Sequence, residues 1–252
     1  MMMVFPFHFW YSTINNLMTT CFRITLTCFV AISTYGFLRW VHTICPITFE
    51  KFSIFMQVMG SLSFVFAACC IIYQKNLIKK INYISIASSS FILISIFTNQ
   101  DDLSAIYMVL LSYCFEIIML IEFTSIIKNR FKTLNMKALS GIKFSIPNLN
   151  MFFIPLMFTI INIPLSIGFI GKFLTIKNLI KNNMIVLAFI VIGIILIVMS
   201  IIEIYRKVFL GKPIKEGVTH KLKINEIIVF VVSLSIIYFI GIFPFILIEK
   251  MG

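Results

Sequence analysis

Charged residues are scarce in this 252-residue chain. Asp, Glu, Lys and Arg together make up 12% of it, whereas soluble domains carry about 25%. Hydrophobic residues make up 60% of the sequence. This composition excludes an ordinary soluble domain and predicts that most of the chain lies in a lipid bilayer.

Acidic residues are scarcer still, with nine Asp and Glu against 21 Lys and Arg. A nucleic-acid-binding surface would gather so much basic charge on one face or along one helix. Here the basic residues are spread over several short polar segments that separate apolar runs. The excess of positive charge therefore favours the loops of a membrane protein.

The cysteines lack the spacing of a metal site. The cysteines form no CxxC pair and no Cys/His pattern with the spacing of a metal site. We therefore expect neither a metal centre nor a disulfide and interpret the cysteines as small apolar residues. The first residues, MMMVFPFHFW, lack the basic start of a secretory signal and the Arg-rich pattern of a transit peptide, so neither is expected. The cysteines are Cys21, Cys28, Cys45, Cys69, Cys70 and Cys114.

Apolar runs near 20 residues, the length that crosses a bilayer as a helix, occur seven times. The loops between them are short and polar, which predicts an all-α polytopic protein with a single membrane domain over residues 1–252. Residues 1–15 are interpreted as the remnant of a preceding helix or loop. The predicted spans are 16–40, 52–73, 81–98, 103–127, 151–176, 184–205 and 226–248.

Basic residues are concentrated in alternate loops. With seven spans, the three strongly basic loops fall on one side, which the positive-inside rule identifies as the cytoplasm or the mitochondrial matrix. These loops contain Lys75, Lys79 and Lys80; Lys128, Arg130, Lys132, Lys137 and Lys143; and Arg206, Lys207, Lys212, Lys215, Lys221 and Lys223. The opposite loops hold Glu50 with Lys51, Asp101 with Asp102, and Lys177 with Lys181.

A charged residue inside a predicted span is costly and usually faces other helices or a wet cavity. Arg23 and Glu203 lie near span ends, so each either snorkels to the interface or forms a structural ion pair. Glu122 has the same interpretation. Glu116 lies deeper, and both a structural role and a place on a proton path stay open.

Lys172 differs from these residues because helix-disrupting residues precede it. Pro164 removes a backbone donor, and Gly168 and Gly171 lower helix propensity, so we predict a broken helix near residues 160–175. Broken membrane helices occur where ions bind, since other groups or water must satisfy the freed backbone. A hydrated lysine there can accept a proton from one side and release it to the other. The alternative is a lysine that only snorkels.

Several segments together carry a family resemblance: FPFHFW (5–10), TYGFLRW (34–40), YQKNLIKKINYISIASSSF (73–91), IPLSIGFIGKF (163–173), IYRKVFLGKP (204–213), and INEIIVF with GIFP (224–244). They resemble, in the same order, motifs of the antiporter-like membrane subunits of respiratory complex I (NADH:ubiquinone oxidoreductase). The resemblance covers essentially the whole chain, and the segment around Lys172 is similar to the one that surrounds the family's functional lysine. Pro6, His8 and Trp10 resemble the Pro-Phe-His-x-Trp element that follows the family's broken seventh helix.

The resemblance implies a fold and a function. The seven spans would be helices eight to fourteen of a fourteen-helix subunit. Residues 16–206 would be mainly the complete second five-helix repeat plus one helix, and 224–248 would be the terminal helix. Subunit 2 is the first choice, because of the lysine at Lys172, and subunit 4 is the second. The chain would take part in redox-coupled proton translocation across the mitochondrial inner membrane, with its basic loops in the matrix.

The resemblance also implies partners. A separate chain would supply the N-terminal half, and other membrane-arm subunits would surround both. FMN, iron–sulfur clusters and ubiquinone are expected in other subunits, and no cofactor or metal is expected in this chain.

The sequence departs from the family at several positions. The family's eighth-helix lysine would fall near Ala31 or Ile32, and its tenth-helix histidine falls at Ser88. Arg23 is a possible replacement for the missing lysine. Three alternatives stay open: half of a stand-alone Mrp-type cation/proton antiporter, a non-pumping structural scaffold, and an unrelated seven-span transporter.

Overall fold

The computed structural model describes residues 3–99, 103–211 and 221–245, apart from the side chains of His42 and Lys137. Asp101, Asp102, Lys212 and Lys215, which the sequence places in loops, lie outside the described residues, as does the end of the last predicted span. Every regular element within the described residues is helical. The α-helices are α1 Phe9–Leu17, α2 Thr20–Phe37, α3 Pro46–Tyr73, α4 Leu77–Thr98, α5 Leu103–Phe131, α6 Ile142–Ser145, α7 Pro147–Ile161, α8 Ile167–Asn182, α9 Met184–Ile204 and α10 Ile224–Ile242.

Six of the predicted spans are continuous helices. α2, α3, α4, α5, α9 and α10 are each long and apolar enough to cross a membrane, and π-helical turns at Leu38–His42 and Tyr205–Phe209 extend α2 and α9. The predicted span 151–176 is divided into α7 and α8, with residues 162–166 between them. The predicted all-α membrane architecture with a break near 160–175 is thus confirmed.

α4 forms the centre of the bundle. Nearly all of its residues are buried, including Ser89 and Ser90, which are fully inaccessible. These two serines therefore face other helices and not lipid. α9 and α10, by contrast, expose most of their apolar side chains, as helices at the lipid-facing surface do.

Two of the basic loops meet at one end of the bundle. Asn76 pairs with Asn135 in an isolated bridge, and the amide of Leu77 donates to the carbonyl oxygen of Leu134 at 2.9 Å. The link between α3 and α4 and the link after α5 are therefore adjacent. We call this end of the bundle the basic end.

The sequence analysis places Lys80 in a basic loop, and this prediction is wrong because Lys80 lies in α4. α4 begins at Leu77, four residues before the predicted start, because the side chain of Asn76 caps it by accepting from the amide of Ile78 at 3.0 Å. Lys80 is therefore fully buried in the first turn and forms an ion pair with Glu203 of α9. The partners are far apart in sequence, so no local pattern could have revealed the pair.

Candidate functional site

The break between α7 and α8 has defined hydrogen bonding. α7 ends in a Schellman motif. Asn162 takes left-handed backbone angles, and its backbone amide donates to the carbonyl oxygen of Thr159 at 3.1 Å. The amide of Ile163 donates to the carbonyl of Phe158 at 3.0 Å. Asn is one of the few residues other than Gly that readily adopt this conformation. Pro164 follows, where it cannot continue the helix.

The second half-helix starts at a serine cap. The hydroxyl of Ser166, which is fully buried, accepts from the amide of Phe169 at 3.4 Å. Leu165, just before it, has a φ of 91°, a conformation that costs a non-glycine residue about 1–3 kcal/mol. Its carbonyl oxygen faces α10 so closely that a Cβ on Gly241 would lie 2.0 Å from it. Only glycine lets α10 approach the break in this way.

Gly168 and Gly171 do not break the helix, contrary to the sequence interpretation. Both lie inside α8, beyond the break. A Cβ on Gly171 would lie 2.9 Å from the backbone nitrogen of Val109, and one on Gly168 would lie 3.1 Å from the side chain of Ser112. These glycines let α8 approach α5 closely, and this approach brings the neighbouring Lys172 toward the centre of the bundle.

Lys172 lines a small internal cavity between α3, α4, α5, α7, α8 and α9. The cavity has a volume of about 20 Å³, which is enough for one water molecule. Glu116 of α5 and Ser88 of α4 line the same cavity, as does Asn162 at the end of α7. The structure thus brings together two of the ionisable residues singled out from the sequence.

Lys172 and Glu116 interact across this cavity without direct contact. The two side chains interact electrostatically. They are not among the ion pairs within 4.0 Å that the described residues form. Glu116 is 2% exposed, and its Oε1 has no hydrogen-bond partner within the described chain. The Nζ atom of Lys172 lies 5.5 Å from the centre of the Phe91 ring, a distance at which the ring stabilises the ammonium form. A water in the cavity would complete the hydrogen bonding of the pair.

Polar side chains extend from this site toward the end of the bundle opposite the basic end. Thr175 lies three residues after Lys172 on α8, and its hydroxyl accepts from Asn99 Nδ2 at 2.9 Å. Asn99 Oδ1 accepts in turn from Asn178 Nδ2 at 2.7 Å. Nearby, Asn183 donates to Gln57 at 2.9 Å. These four amide side chains and the Thr175 hydroxyl lie at the level where α4 ends, and we call them the amide-rich outlet.

The remaining residues predicted from the sequence lie outside the cavity. Arg23 is buried between α1, α2 and α5, where it donates to Asn15 and Thr124. His8 is buried beside Phe66 of α3, with 5.2 Å between the ring centres. Trp10 is half-buried in α1, and Pro6 precedes that helix. None of these residues is among those that line the cavity.

Sequence reasoning missed Asn162 as a site residue. Its side-chain Oδ1 is buried and has no hydrogen-bond partner within the described residues, and the residue lines the cavity. An asparagine two residues before a proline in an apolar run is a helix C-terminus signal, which could have identified it. No comparable signal marks Thr175 or Asn99.

Similar proteins were found by sequence and by structure. Residues 1–200 match the family model described as NADH:quinone oxidoreductase/Mrp antiporter, TM. NADH-quinone oxidoreductase subunit M of Rickettsia conorii is 26% identical over 250 residues, which cover 96% of this chain and 50% of the relative. NADH-ubiquinone oxidoreductase chain 4 of Acanthamoeba castellanii is 26% identical over 212 residues, covering 83% of this chain and 42% of the relative. The chain thus spans about half the length of the curated relatives it matches.

Two solved structures share the fold. A chain of respiratory complex I from Thermus thermophilus superposes with a TM-score of 0.76 at 18% identity, covering 84% of this chain and 45% of that chain. A chain of the Mrp complex from Dietzia sp. superposes with a TM-score of 0.81 at 17% identity, covering 98% and 55%.

Proposed function

Since the chain belongs to the NADH:quinone oxidoreductase/Mrp antiporter membrane family, we propose that it carries protons across a membrane as a membrane-arm subunit of NADH:ubiquinone oxidoreductase. The observation that carries this proposal is the Lys172–Glu116 pair, which shares a water-sized cavity beside a broken helix. A lysine and a carboxylate held apart in this way can exchange a proton through one water. Neither side chain is held in a direct ion pair among the described residues.

The subunit type proposed is that of subunit M and chain 4. The relatives reported above are of this type, which was the second choice from the sequence, and none of them supports the first choice, subunit 2. Subunit 4 usually carries a glutamate at the position of Lys172, so this lysine is a departure within the type.

The proposed transfer uses residues of this chain alone. The neutral amine of Lys172 accepts a proton from the cavity, where Glu116 stabilises the ammonium that forms. The ammonium then releases the proton toward Thr175 and Asn99, through water held by the amide-rich outlet. Amides do not titrate in this range, so they position water and do not store charge.

The proposed setting is the mitochondrial inner membrane, with the basic end in the matrix. The partners proposed are other membrane-arm subunits, including a separate chain that supplies the N-terminal half. We propose that other subunits oxidise NADH and that they hold the FMN, the iron–sulfur clusters and the ubiquinone used in that reaction.

Glu116→Gln tests the role of the carboxylate. Removing its charge while keeping its shape is expected to slow proton translocation about tenfold, which corresponds to losing about 1.4 kcal/mol of stabilisation of the Lys172 ammonium. The measurement is NADH-driven acidification of sealed membrane vesicles. Glu122→Gln, six residues along the same helix and outside the cavity, is the matched control. Equal rates in the two variants would contradict the role of Glu116.

A cation/proton antiporter subunit is the second candidate, because the family model that matches residues 1–200 includes Mrp antiporters as well. Purification through a tag on this chain separates the two candidates. A complex I subunit is expected to bring NADH:quinone oxidoreductase activity with it. Purification of an assembly that lacks this activity and exchanges cations for protons would favour the antiporter.

A further inference from the structure

A second polar cavity lies at the basic end of the bundle, away from Lys172. Its volume is about 220 Å³, large enough for a phosphate group and several waters. It opens where α2 begins and α5 ends, beside the first turn of α4. No acidic residue of the described chain lines it, and its polar lining residues are Thr19, Thr20, Arg23, Thr124, Ser125, Lys128 and Asn129.

Arg23 in the cavity wall carries a charge that no acidic side chain among the described residues pairs with. Its side chain is 3% exposed, and its described acceptors are neutral: Asn15 Oδ1 at 3.1 Å and Thr124 Oγ1 at 3.3 Å. Its Nη2 has no partner among the described residues, and no acidic side chain of the described chain lies within 4.0 Å. Burying a charge in this way is costly unless an anion compensates it.

The start of α2 adds further positive potential to the same cavity. Thr19 precedes the helix with extended backbone angles and makes no side-chain capping bond. The first amides of the helix have no intrahelical acceptor and point toward its start, which makes such a terminus attractive to anions. The exposed Lys128 supplies a second cationic side chain at the rim.

We propose that this cavity binds a phosphate group, carried either by the headgroup of an anionic phospholipid or by free inorganic phosphate. Arg23 Nη2 and the α2 amides would hold the phosphate oxygens, and Lys128 would close the outer side. The location suits a lipid, because basic pockets between helices on the matrix or cytoplasmic side bind anionic headgroups. The site shares no lining residue with the Lys172 cavity and is independent of the proposed proton transfer.

Binding measurements on the full chain, with any subunits that copurify, test the site. After lipid is stripped with a neutral detergent, the protein is titrated with cardiolipin, with diacylglycerol as a phosphate-free acyl control, and separately with radiolabelled inorganic phosphate. Arg23→Gln is expected to weaken binding about tenfold, as the loss of a charged hydrogen bond does. Lys128→Gln is expected to weaken it about fivefold. Lys75→Gln, an exposed lysine at the same end that does not line the cavity, is expected to change nothing.

The outcomes distinguish the two phosphate sources. Arg23- and Lys128-dependent binding of cardiolipin without binding of inorganic phosphate identifies a lipid site, and the same dependence for inorganic phosphate identifies a free-anion site. Cardiolipin that binds no tighter than diacylglycerol, with no uptake of inorganic phosphate, overturns the proposal. Equal affinities in Lys128→Gln and Lys75→Gln also overturn it, and this comparison decides the matter if Arg23→Gln fails to fold.

Discussion

Lys172→Met is expected to lower proton translocation through this chain about a hundredfold, the size typical of removing a group that itself transfers the proton. Methionine keeps the length and the apolar stem of lysine but cannot bind a proton. The lysine makes no ion pair within 4.0 Å in the described structure. Its removal should therefore leave membrane insertion and assembly nearly unchanged.

The experiment compares NADH-driven acidification of sealed vesicles with the amount of assembled complex. Lys177→Met is the matched control, because Lys177 is exposed on the same helix and lies outside the cavity. Translocation at normal stoichiometry in the Lys172 variant would refute the assignment and favour a structural scaffold. A parallel loss of assembled complex would show that the lysine acts in folding.

Glu203→Leu is expected to lower the free energy of unfolding by about 3 kcal/mol. It removes the partner of the fully buried Lys80 ammonium, and breaking a buried pair leaves an uncompensated charge that costs about 3–5 kcal/mol. The low end applies because Glu203 keeps 23% of its side-chain surface exposed. Lys207 also bonds Glu203, at 2.5 Å, but is 43% exposed, so Lys207→Met should cost less than about 1 kcal/mol.

Reversible unfolding in mixed micelles measures these differences. The double variant Lys80→Met with Glu203→Leu should recover most of the stability, since it replaces both charges by apolar groups. Recovery would show that the cost arises from the unpaired Lys80 charge. A double variant no more stable than Glu203→Leu would show instead that the shape of the acidic side chain matters at this position.

The spans and the break could be read from the sequence because their signals are local. A run of apolar residues fixes a membrane helix by length, and Pro164 interrupts the run where the structure has non-helical backbone. Gly168 and Gly171 were interpreted with the same local rule, and that interpretation was wrong. Their function depends on α5, which no local pattern describes.

The candidate site was predictable only in part for the same reason. Lys172 and Glu116 were recognisable as charges inside apolar runs, but their common cavity depends on how six helices pack. The burial of Lys80 was unpredictable because its partner lies 123 residues away. Arg23 was recognisable as a charge inside a span. Only the three-dimensional structure shows that no acidic side chain among the described residues pairs with it.

The close fit of Gly241 against the carbonyl of Leu165 has a consequence for the order in which the protein matures. α10 follows the break in the sequence, so a ribosome completes α7, α8 and α9 before α10 exists. Until α10 inserts, the non-helical backbone of 162–166 faces lipid on that side, where each unsatisfied polar group costs several kcal/mol. The two half-helices therefore gain their final arrangement only after α10 has been synthesised and has docked against the break.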